Sequence, residues 1–587
     1  MSESLICEKG LTCRWVCRSP SSPDLGHLPL SDRVLRARGL DDPQRARAFL
    51  NPALTHLRDP LDLPDIDRAA ARILEAARAD EPIVIYGDYD VDGITASMVM
   101  VRMIRAIAPD ARVSAYIPHR LEEGYGLNAD AVRTLAAEGA RVIVSVDCGV
   151  TAIAEAQAAR RAGVDLIITD HHNPPDEALG LPDAYAIVHP GLPGRQSGFR
   201  ELCGAGVAYK LAWRLACLAS GSDRVRDDLR ALLLDLLGPV ALGVVADVVP
   251  LVDENRVLTR YGLGRVKNSS FVGIRALVEA SGLAGDDIDT DRVGFSLAPR
   301  LNACGRMGHA REALELMLTE DPLRAHQIAA ELTRLNEQRR RTERTIMEQA
   351  CELAERAGMT GTDCRAIVLA HEDWHPGVVG IVCSRLVEKF ARPTILMQRQ
   401  DALCVGSGRS IDGFNLHGAL CDCAEHLAGF GGHDMAAGVK VTPERLDRFV
   451  EQFIQRANEL LSPDDLVRSI HYDCDARICD LSMRDVQRLE MLAPFGRANP
   501  HVRVRLRRVR VHSPPKTFGA RARHLAVELC DQGARAGGGV RAVGWSWGER
   551  ASHLPAGSLI DAIITPRIST WNGRSRVEAE LHDVMVH

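Results

Sequence analysis

The stretch that decides the fold of this chain is residues 83–95, which read IVIYGDYDVDGIT. A short apolar run ends in three acids at alternate positions, Asp88, Asp90 and Asp92, and a helical pattern follows from about Ala96. This order predicts a strand with the acids at its carboxyl end. Ligands of open α/β sheets bind at that edge, and three carboxylates there repel one another unless a cation neutralises them. The stretch therefore predicts a divalent-metal site.

The length and composition are those of a multidomain globular protein. A chain of 587 residues exceeds what one hydrophobic core supports, and 46% of the residues are hydrophobic while 26% are charged. We find no run of about 18 apolar residues and no secretory signal pattern, so we expect a cytoplasmic protein without a membrane partner. The 16 cysteines show no paired framework, which favours reduced thiols.

Charge is distributed unevenly along the chain. The net charge is −6, yet residues 501–587 hold 14 Arg and Lys against 7 Asp and Glu. An acidic body with a basic C-terminal part indicates metal chemistry in one region and capture of a polyanion in another. The first residues carry no recognisable pattern and are expected to be incidental.

We expect an α/β multidomain protein with five segments. They are an N-terminal adaptor segment (1–80), a metal-binding catalytic domain (81–264), a helical linker with a long connecting helix (265–359), a second α/β domain (360–461) and a C-terminal β-barrel (462–587). In the catalytic domain strand-like runs alternate with helical segments, which predicts a doubly wound parallel sheet. The predicted strands are Ile83–Tyr86, Val113–Ile117, Val142–Val146, Leu166–Thr169 and Ala186–Val188.

Further acids and imidazoles follow later apolar runs of this domain. We interpret Val240–Ala246 as one more strand, ending at Asp247. The residues expected at one sheet edge are Asp88, Asp90, Asp92, Asp147, His171 and Asp247. Carboxylates with an imidazole suit Mn²⁺ or Mg²⁺, whereas structural zinc favours thiolates. Two such ions about 3.5–4 Å apart activate water and stabilise a leaving oxygen, which predicts hydrolysis of a phosphate ester.

A simpler interpretation exists for each acid taken alone. An Asp that follows a strand is commonly a helix N-cap or a turn residue. His172 fits either a group that supports a ligand or one that binds substrate. The metal interpretation is favoured because acids and a His-His pair recur after several strands of one predicted sheet.

The second half of the chain carries weaker patterns. Residues 298–306, with their glycine and proline, predict an ordered loop, and residues 322–357 predict one long helix. Strands are expected at Ala366–Ala370 and Thr394–Leu396, and small residues near Arg409 and His433 would let backbone amides approach phosphate. Five short strands are then expected at Val502–Val511, His524–Leu529, Val540–Trp545, Ile560–Ile564 and Val577–Leu581, which suggests an OB fold. The residues expected to bind single-stranded bases there are Arg503, Arg505, Arg507, Arg508, Trp545, Trp547 and Trp571, with one or two of the tryptophans in the core.

These motifs resemble those of a known superfamily. The stretches GDYDVDG (87–93), VDCG (146–149), TDHH (169–172) and ADVVPL (246–251) are similar to the successive motifs of the DHH phosphoesterases, in the spelling of the RecJ family. The resemblance implies that Asp88, Asp90 and Asp147 bind one metal. It implies that Asp92, Asp147, His171 and Asp247 bind the other, with His172 contacting phosphate.

The resemblance extends to about residue 66 and to the C-terminus. PRLNACGR (299–306), FGGHDMAAG (430–438) and PFGRANP (494–500) look like RecJ-family motifs, of which the second belongs to a DHHA1-like domain and the third precedes an OB fold. The implied substrate-binding residues are His172, Arg300, Asn302, Arg306, Ser407, Arg409, Gly431, Gly432 and His433.

The family implies a single-stranded-DNA-specific 5′→3′ exonuclease that releases 5′-mononucleotides with two Mn²⁺ or Mg²⁺ ions, in DNA repair and recombination. A helicase and a single-strand-binding protein are the partners it implies, and we expect a monomer. Two alternatives remain: a DHH phosphodiesterase of short oligonucleotides or cyclic dinucleotides, and a metal-free replication scaffold. Activity confined to dinucleotides, without digestion of long strands, would favour the phosphodiesterase. Absence of bound Mn²⁺ would favour the scaffold.

Overall fold

The computed structural model describes residues 8–18, 28–120, 122–176, 178–192, 198–533, 539–571 and 573–587, without the side chain of Trp571. The chain forms two compact units. We call Pro52–Thr342 with Pro494–Pro500 the parallel-sheet unit. We call Met1–Asn51, Glu343–Ala493 and His501–His587 the barrel unit.

The N-terminal segment is divided between the two units. Residues up to Asn51 belong to the barrel unit and those from Pro52 to the parallel-sheet unit, so the segment predicted over 1–80 contributes to both units. The expectation that the first residues are incidental is wrong, because residues 8–17 form two strands. The elements of this segment are β1 (Glu8–Lys9), β2 (Arg14–Cys17), α1 (Leu30–Ala37), α2 (Pro43–Leu50) and α3 (Ile66–Arg78).

A five-stranded parallel sheet organises the parallel-sheet unit, as predicted. Its strands are β3 (Ile83–Gly87), β4 (Val113–Tyr116), β5 (Val142–Val146), β6 (Asp165–Thr169) and β7 (Ala186–Val188), in the order β4-β3-β5-β6-β7. Alternate residues of β3 enter different cores, since Ile83 and Ile85 pack with one set of helices and Val84 and Tyr86 with another. The sheet is therefore covered on both faces. Its order reverses between β3 and β5, which is where ligands bind in doubly wound sheets.

The helices that pack with Ile83 and Ile85 cover one face of the sheet, and the helices that pack with Val84 and Tyr86 cover the other face. The first set includes α4 (Val91–Ile107), α7 (Gly204–Ser220) and α8 (Asp227–Ala246), and the second includes α5 (Ala129–Ala137) and α6 (Ile153–Arg161). Helix α4 begins at Val91, earlier than predicted, because Asp90 caps its N-terminus. Asp92 and Gly93 therefore lie in the first helical turn.

The predicted strand Val240–Ala246 is wrong, since these residues form the last turns of α8. The helix is buried on several sides and contains Pro239, so it lacks the polar face that would have revealed its period. By length and composition α8 could cross a membrane, but 61% of its most apolar window is buried inside the protein. A core helix meets the same criterion.

The remaining helices of this unit lead to the long connecting helix. They are α9 (Asp253–Lys267), α10 (Val272–Ala280), α11 (Thr290–Arg292), α12 (Ala298–Met307), α13 (Arg311–Leu318) and α14 (Pro322–Arg356), with a π-helical turn at Val293–Leu297. The ordered loop expected over 298–306 is wrong, because α12 accommodates Pro299 in its first turn, where no backbone donor is needed. The predicted long helix is α14.

The first half of the barrel unit is a second α/β fold, as predicted. Its five-stranded sheet has the order β11-β12-β10-β9-β8. The strands are β8 (Ile367–His371), β9 (Thr394–Arg399), β10 (Cys404–Arg409), β11 (Gly429–His433) and β12 (Ala436–Val441), and the helices are α15 (Pro376–Phe390), α16 (Leu416–Asp422) and α17 (Leu446–Leu460).

The C-terminal half closes into the predicted barrel. Its elements are β13 (Ser469–Tyr472), β14 (Cys474–Ala476), α18 (Met483–Glu490), β15 (Val504–Val511), β16 (Lys516–Phe518), β17 (His524–Cys530), β18 (Gly539–Gly544), β19 (Leu559–Trp571) and β20 (Arg574–Val586). The ring of pairs β15-β19-β20-β18-β17 closes through β17 and β15, with β18 and β20 parallel. This is the OB topology.

The N-terminal strands attach to this barrel unit. Strand β2 pairs in parallel with β13, which places Trp15 opposite Ile470. The carboxylate of Asp583 in β20 is fully buried and accepts hydrogen bonds from the backbone of Thr12 (3.0 Å) and Cys13 (3.0 Å), the Thr12 hydroxyl (2.9 Å) and Trp15 Nε1 (2.8 Å). The barrel unit is thus built from both ends of the described chain.

Candidate metal centre

Three acids leave the carboxyl end of β3 in the way the sequence predicts. Asp88 follows the strand and is buried, and Asp90 caps α4 by accepting from the backbone N–H of Asp92 (2.9 Å) and Gly93 (3.2 Å). The capping interpretation is therefore correct for Asp90. The cap uses one oxygen of the Asp90 carboxylate, Oδ1, and leaves Oδ2 for a metal ion.

Asp92 is held by the N-terminus of a different helix. Its two oxygens accept from the backbone N–H groups of Gly204 (2.5 Å) and Ala205 (2.9 Å) at the start of α7. The positive end of that helix stabilises the carboxylate. Gly243 of α8 makes room for it, because a Cβ there would lie 2.5 Å from Asp92 Oδ1.

Asp147 follows β5 in a strained conformation. Its φ is +64°, a region that non-glycine residues seldom adopt, and its backbone N–H donates to the Thr169 carbonyl (3.0 Å). A Cβ on Gly204 would lie 2.5 Å from Asp147 Oδ1, so the start of α7 fits closely against this side chain. The carboxylate of Asp147 lies within 4.8 Å of ligand atoms of Asp88 and Asp90, which follow β3.

The His-His pair follows β6. His171 Nε2 lies 3.1 Å from Asp147 Oδ1, 3.6 Å from Asp247 Oδ2 and 3.8 Å from Asp92 Oδ2. This imidazole therefore lies among carboxylates from the first turn of α4, the residue after β5 and the C-terminus of α8. His172 packs beside it, with ring centroids 4.4 Å apart.

Asp247 reaches the same edge from the C-terminus of α8 and not from a strand. A carboxylate at that end of a helix meets the negative end of the helix dipole, which is unfavourable without a nearby cation. The acid lies where the sequence predicted it, although the element that delivers it differs.

The ligand atoms form three groups, in each of which they lie within 4.8 Å of one another. The groups are Asp88, Asp90 and Asp147; Asp92, His171 and Asp247; and Asp147, His171 and His172. Asp147 and His171 each belong to two groups, so the groups are contiguous.

The polar atoms of this cluster lack partners. Asp88 Oδ1, Asp147 Oδ1 and His171 Nε2 are buried and have no hydrogen bond within the part of the chain that the structure describes. Asp147 Oδ1 and His171 Nε2 are 3.1 Å apart, but they are not aligned as a hydrogen bond. A buried polar atom without a partner costs about 1–3 kcal/mol, more when it is charged. Such a cost at three neighbouring atoms points to a bound group.

The pKa values of these residues also indicate that positive charge is lacking around the carboxylates. Burial, and then the charges of neighbouring carboxylates, raise the pKa of Asp90 and raise those of Asp88 and Asp147 well above the usual range. Burial and the charges of Asp92 and Asp90 raise the pKa of Asp247 to about 8, while burial and His172 lower the pKa of His171 to about 4. Carboxylates that would otherwise take up protons, beside a neutral imidazole, fit divalent cations.

Three residues near the centre were missed or not assigned from the sequence. Asp170 accepts from His172 Nδ1 (2.8 Å) and from the backbone of Val150 (2.9 Å) and His171 (2.7 Å). Burial lowers the pKa of His172, but the hydrogen bond and charge of Asp170 outweigh it and bring that pKa to about 9. Because Asp170 stands inside the quoted TDHH motif, it could have been named.

His189 and Tyr125 carried no comparable signal in the sequence. His189 Nδ1 accepts from the backbone of Gly191 (2.9 Å), so its Nε2–H donates to the His172 carbonyl (2.8 Å). The Tyr125 hydroxyl lies 3.0 Å from His172 Nδ1 and its ring is half exposed. Both residues surround His172.

The residues predicted to bind substrate on α12 are distributed around one helix. Arg300 donates to the Ser296 carbonyl (2.6 Å) and to Thr333 Oγ1 of α14 (3.2 Å). Asn302 and Arg306 are half-buried, and a Cβ on Gly305, next to Arg306, would lie 3.2 Å from the Tyr89 carbonyl. Arg300 thus anchors α12 on α14, while Arg306 lies near the Asp88 loop.

The predicted residues of the second α/β fold share one sheet. Ser407, Gly438 and Gly431 pair across three strands, and Arg409, Ala436 and His433 form the next row on the same face. Gly432 points to the opposite face. Helix α15 covers part of this surface, where a Cβ on Gly380 would lie 3.3 Å from Ser407 Oγ. The expected phosphate-binding groups Ser407, Arg409 and His433 therefore lie on one face.

The predicted base-binding residues of the barrel divide into structural and exposed ones. Arg505 is buried and paired with Asp475 (2.6 Å), and Trp547 is 6% exposed, so both belong to the interior. Trp545 is 50% exposed and packs with His524 and Phe518 at ring-centroid distances of 4.9 and 6.0 Å. The Trp571 side chain lies outside the described residues.

Three family descriptions match successive parts of the chain. They are the DHH family, N-terminal domain (residues 82–243), the DHHA1 domain (363–459) and the RecJ OB domain (472–583). These regions contain the parallel sheet, the second α/β fold and the barrel.

Relatives and a solved structure match most of the chain. It is 36% identical over 582 residues to the single-stranded-DNA-specific exonuclease RecJ of Bacillus subtilis, covering 98% of this chain and 71% of the relative. It is 35% identical to the protein of that name from Salmonella typhimurium, covering 80% and 82%. The crystal structure of RecJ in complex with Mn²⁺ from Thermus thermophilus superposes with a TM-score of 0.79 at 31% identity, covering 95% of this chain and 76% of that one. The chain belongs to the RecJ family of DHH-domain exonucleases.

Proposed function

We propose that this protein is a single-stranded-DNA-specific exonuclease that hydrolyses phosphodiester bonds with two Mn²⁺ or Mg²⁺ ions. The observation that carries the proposal is the convergence of five aspartates and His171 on one sheet edge, with buried oxygens that lack partners. Family membership gives the substrate class, because the relatives are single-stranded-DNA-specific exonucleases by name.

The ligands divide between the two ions according to the groups they form. Asp88, Asp90 and Asp147 would hold one ion, and Asp92, Asp147, His171 and Asp247 the other, so Asp147 would bridge them. The ions supply activation of water and stabilisation of the leaving oxygen. The protein keeps His171 neutral and its Nε2 free, because burial opposes the charged form.

His172 would donate a hydrogen bond to the phosphate of the substrate. Asp170 accepts from its Nδ1, and its Nε2, which lies 3.3 Å from the Tyr125 hydroxyl, would exchange that partner for a non-bridging phosphate oxygen to which it donates. His189 and Asp170 fix the backbone and ring of His172. The imidazolium thus orients the phosphate while the acids retain the cations.

Binding of the rest of the strand falls to the barrel unit and to α12. Ser407, Arg409, Gly431, Gly432 and His433 of the second α/β fold, with Arg300, Asn302 and Arg306, would contact phosphates. Exposed Trp545 with His524 and Phe518 supplies a stacking surface for unpaired bases. Within each unit these residues suit an unstructured strand, through charge on α12 and through charge and stacking in the barrel unit.

The finer properties come from the family pattern. We expect 5′→3′ polarity with release of 5′-mononucleotides, a role in DNA repair and recombination, a cytoplasmic monomer, and a helicase and a single-strand-binding protein as partners. The helicase would supply the single strand that the enzyme consumes.

The test is digestion of long single- and double-stranded DNA carrying a label at either end, with Mn²⁺, Mg²⁺ or chelator. We expect Mn²⁺- or Mg²⁺-dependent loss of single strands, with a 5′ label released first as a mononucleotide. Cleavage limited to dinucleotides or cyclic dinucleotides would contradict the proposal. So would a protein that binds no Mn²⁺ by calorimetry.

A further inference from the structure

The segment Pro494–Pro500 is built into the parallel-sheet unit, although the chain on either side of it belongs to the barrel unit. Its carbonyls accept hydrogen bonds at Pro494 from Arg256 Nη1 (3.2 Å) and at Phe495 from Thr290 Oγ1 (2.7 Å). Buried Asn499 closes the segment internally, with Nδ2 donating to the Pro494 carbonyl (2.8 Å). The segment is therefore held at several points.

It docks on the turn that carries a predicted metal ligand. The backbone N–H of Leu251 donates to the Arg497 carbonyl (2.9 Å), and a Cβ on Gly496 would lie 2.7 Å from Leu251 Cδ1. Leu251 ends the turn that begins at Asp247. The position of Arg497 relative to the metal centre is thus fixed by backbone contacts.

The turn itself presents its backbone to Arg497. Val248, next to Asp247, has a φ of +57°, which is unusual for a β-branched residue. Its side chain is 58% exposed. Its carbonyl lies 3.5 Å from Arg497 Nη1. This strained residue holds one side of the guanidinium beside the ligand Asp247.

Arg497 is otherwise available for an anion. Its side chain is exposed, and no carboxylate pairs with it among the residues for which the structure gives positions. An exposed guanidinium fixed at the rim of an acidic cluster offsets the repulsion that the cluster exerts on a phosphate.

We propose that Arg497 is a substrate-binding residue of the metal centre whose guanidinium binds a backbone phosphate of the DNA strand beside Asp247. The inference rests on the proposed nuclease function and adds a contact from a sequence-distant segment. It differs from a purely structural role because the side chain, and not the backbone of the segment, makes the contact.

The test compares Arg497→Ala and Arg497→Lys with the wild-type enzyme loaded with Mn²⁺. For Arg497→Ala we expect KM for a long single strand to rise about tenfold with little change in kcat, as for loss of one charged hydrogen bond. The slope of log(kcat/KM) against log salt should become shallower by about 0.7, the value for one phosphate contact to a single strand. Arg497→Lys should keep the wild-type slope.

Arg230→Ala is the matched control, because Arg230 is also exposed but lies near the other end of α8, about 25 Å along the helix from Asp247. It should leave KM and the slope unchanged. An unaltered KM and slope in Arg497→Ala would overturn the inference. So would a fall in Mn²⁺ affinity by calorimetry without a change in slope, since Arg497 would then act by holding Asp247. A wild-type enzyme that leaves single strands intact would instead refute the proposed function.

Discussion

Two buried aspartates show how the same residue serves different purposes in the two units. Asp147 and Asp583 are each at most 2% exposed. Asp583 accepts four hydrogen bonds and joins the N-terminal strands to the barrel unit, whereas Asp147 Oδ1 has no hydrogen-bond partner among the described residues. A buried acid with hydrogen-bond donors supports the fold, and a buried acid without them, beside other acids, indicates a cation-binding site. The number of hydrogen-bond donors around each carboxylate therefore distinguishes the structural Asp583 from the proposed metal ligand Asp147.

The largest effect should follow from Asp147→Asn. Removing the shared ligand should lower kcat on single-stranded DNA by about 10³-fold or more, roughly 4 kcal/mol of barrier, while stability in chelator stays the same or rises. Stopped assays with Mn²⁺ and urea unfolding in EDTA measure the two quantities. Near-wild-type activity in the folded variant would mean that Asp147 is not a bridging ligand.

The opposite pattern is expected for Asp583→Ala. The change leaves Trp15 Nε1 and the backbone N–H groups of Thr12 and Cys13 without their acceptor, which should cost about 3–5 kcal/mol of stability. Chemical denaturation followed by tryptophan fluorescence detects the loss in the transition that includes Trp15. Mn²⁺ affinity should be unaltered, and a parallel fall in it would break the comparison. Asp583→Asn, which keeps one acceptor, should lie between.

The smallest effect concerns pH. The folded-state pKa of Asp247, about 8, lies above its unfolded value, so its stabilising contribution is full below the unfolded pKa and is lost as pH rises through 8. In chelator, wild-type stability relative to Asp247→Asn should fall by about 1 kcal/mol per pH unit between pH 6.5 and 8. Urea titrations at three pH values measure this difference in unfolding free energy. A difference that does not change with pH would contradict a raised pKa of Asp247 among the neighbouring carboxylates. Saturating Mn²⁺ should remove the wild-type dependence, because ligated carboxylates hold no proton.

The sequence was informative where periodicity and spacing are local. The five parallel strands and α14 lie where they were predicted, because alternation of strands with helices and a sustained helical period are visible without tertiary contacts. The acids at the sheet edge were also foreseeable, since parallel strands bring their carboxyl ends together. Their assignment to individual ions stays a prediction.

Errors arose where burial or long-range contacts override local signals. Val240–Ala246 resembles a buried strand because α8 has little polar surface, and only packing identifies it as helix. Residues 298–306 were taken for a loop from Pro299 and Gly305, yet the proline lies in the first turn and the glycine lies close to Tyr89. The support of His172 by His189 depends on a backbone contact, which no spacing reveals.

The pairing of β2 with β13 has a consequence for synthesis on the ribosome. Residue 14 pairs with residue 469, so β2 waits for 455 further residues before this partner strand exists. At about 5–20 residues per second that interval is roughly 20–90 s. During this time Trp15 and the unpaired strand edge are exposed in the nascent chain, while the parallel-sheet unit already has most of its sequence. We therefore expect β2 to be a target for chaperones until β13 has been synthesised.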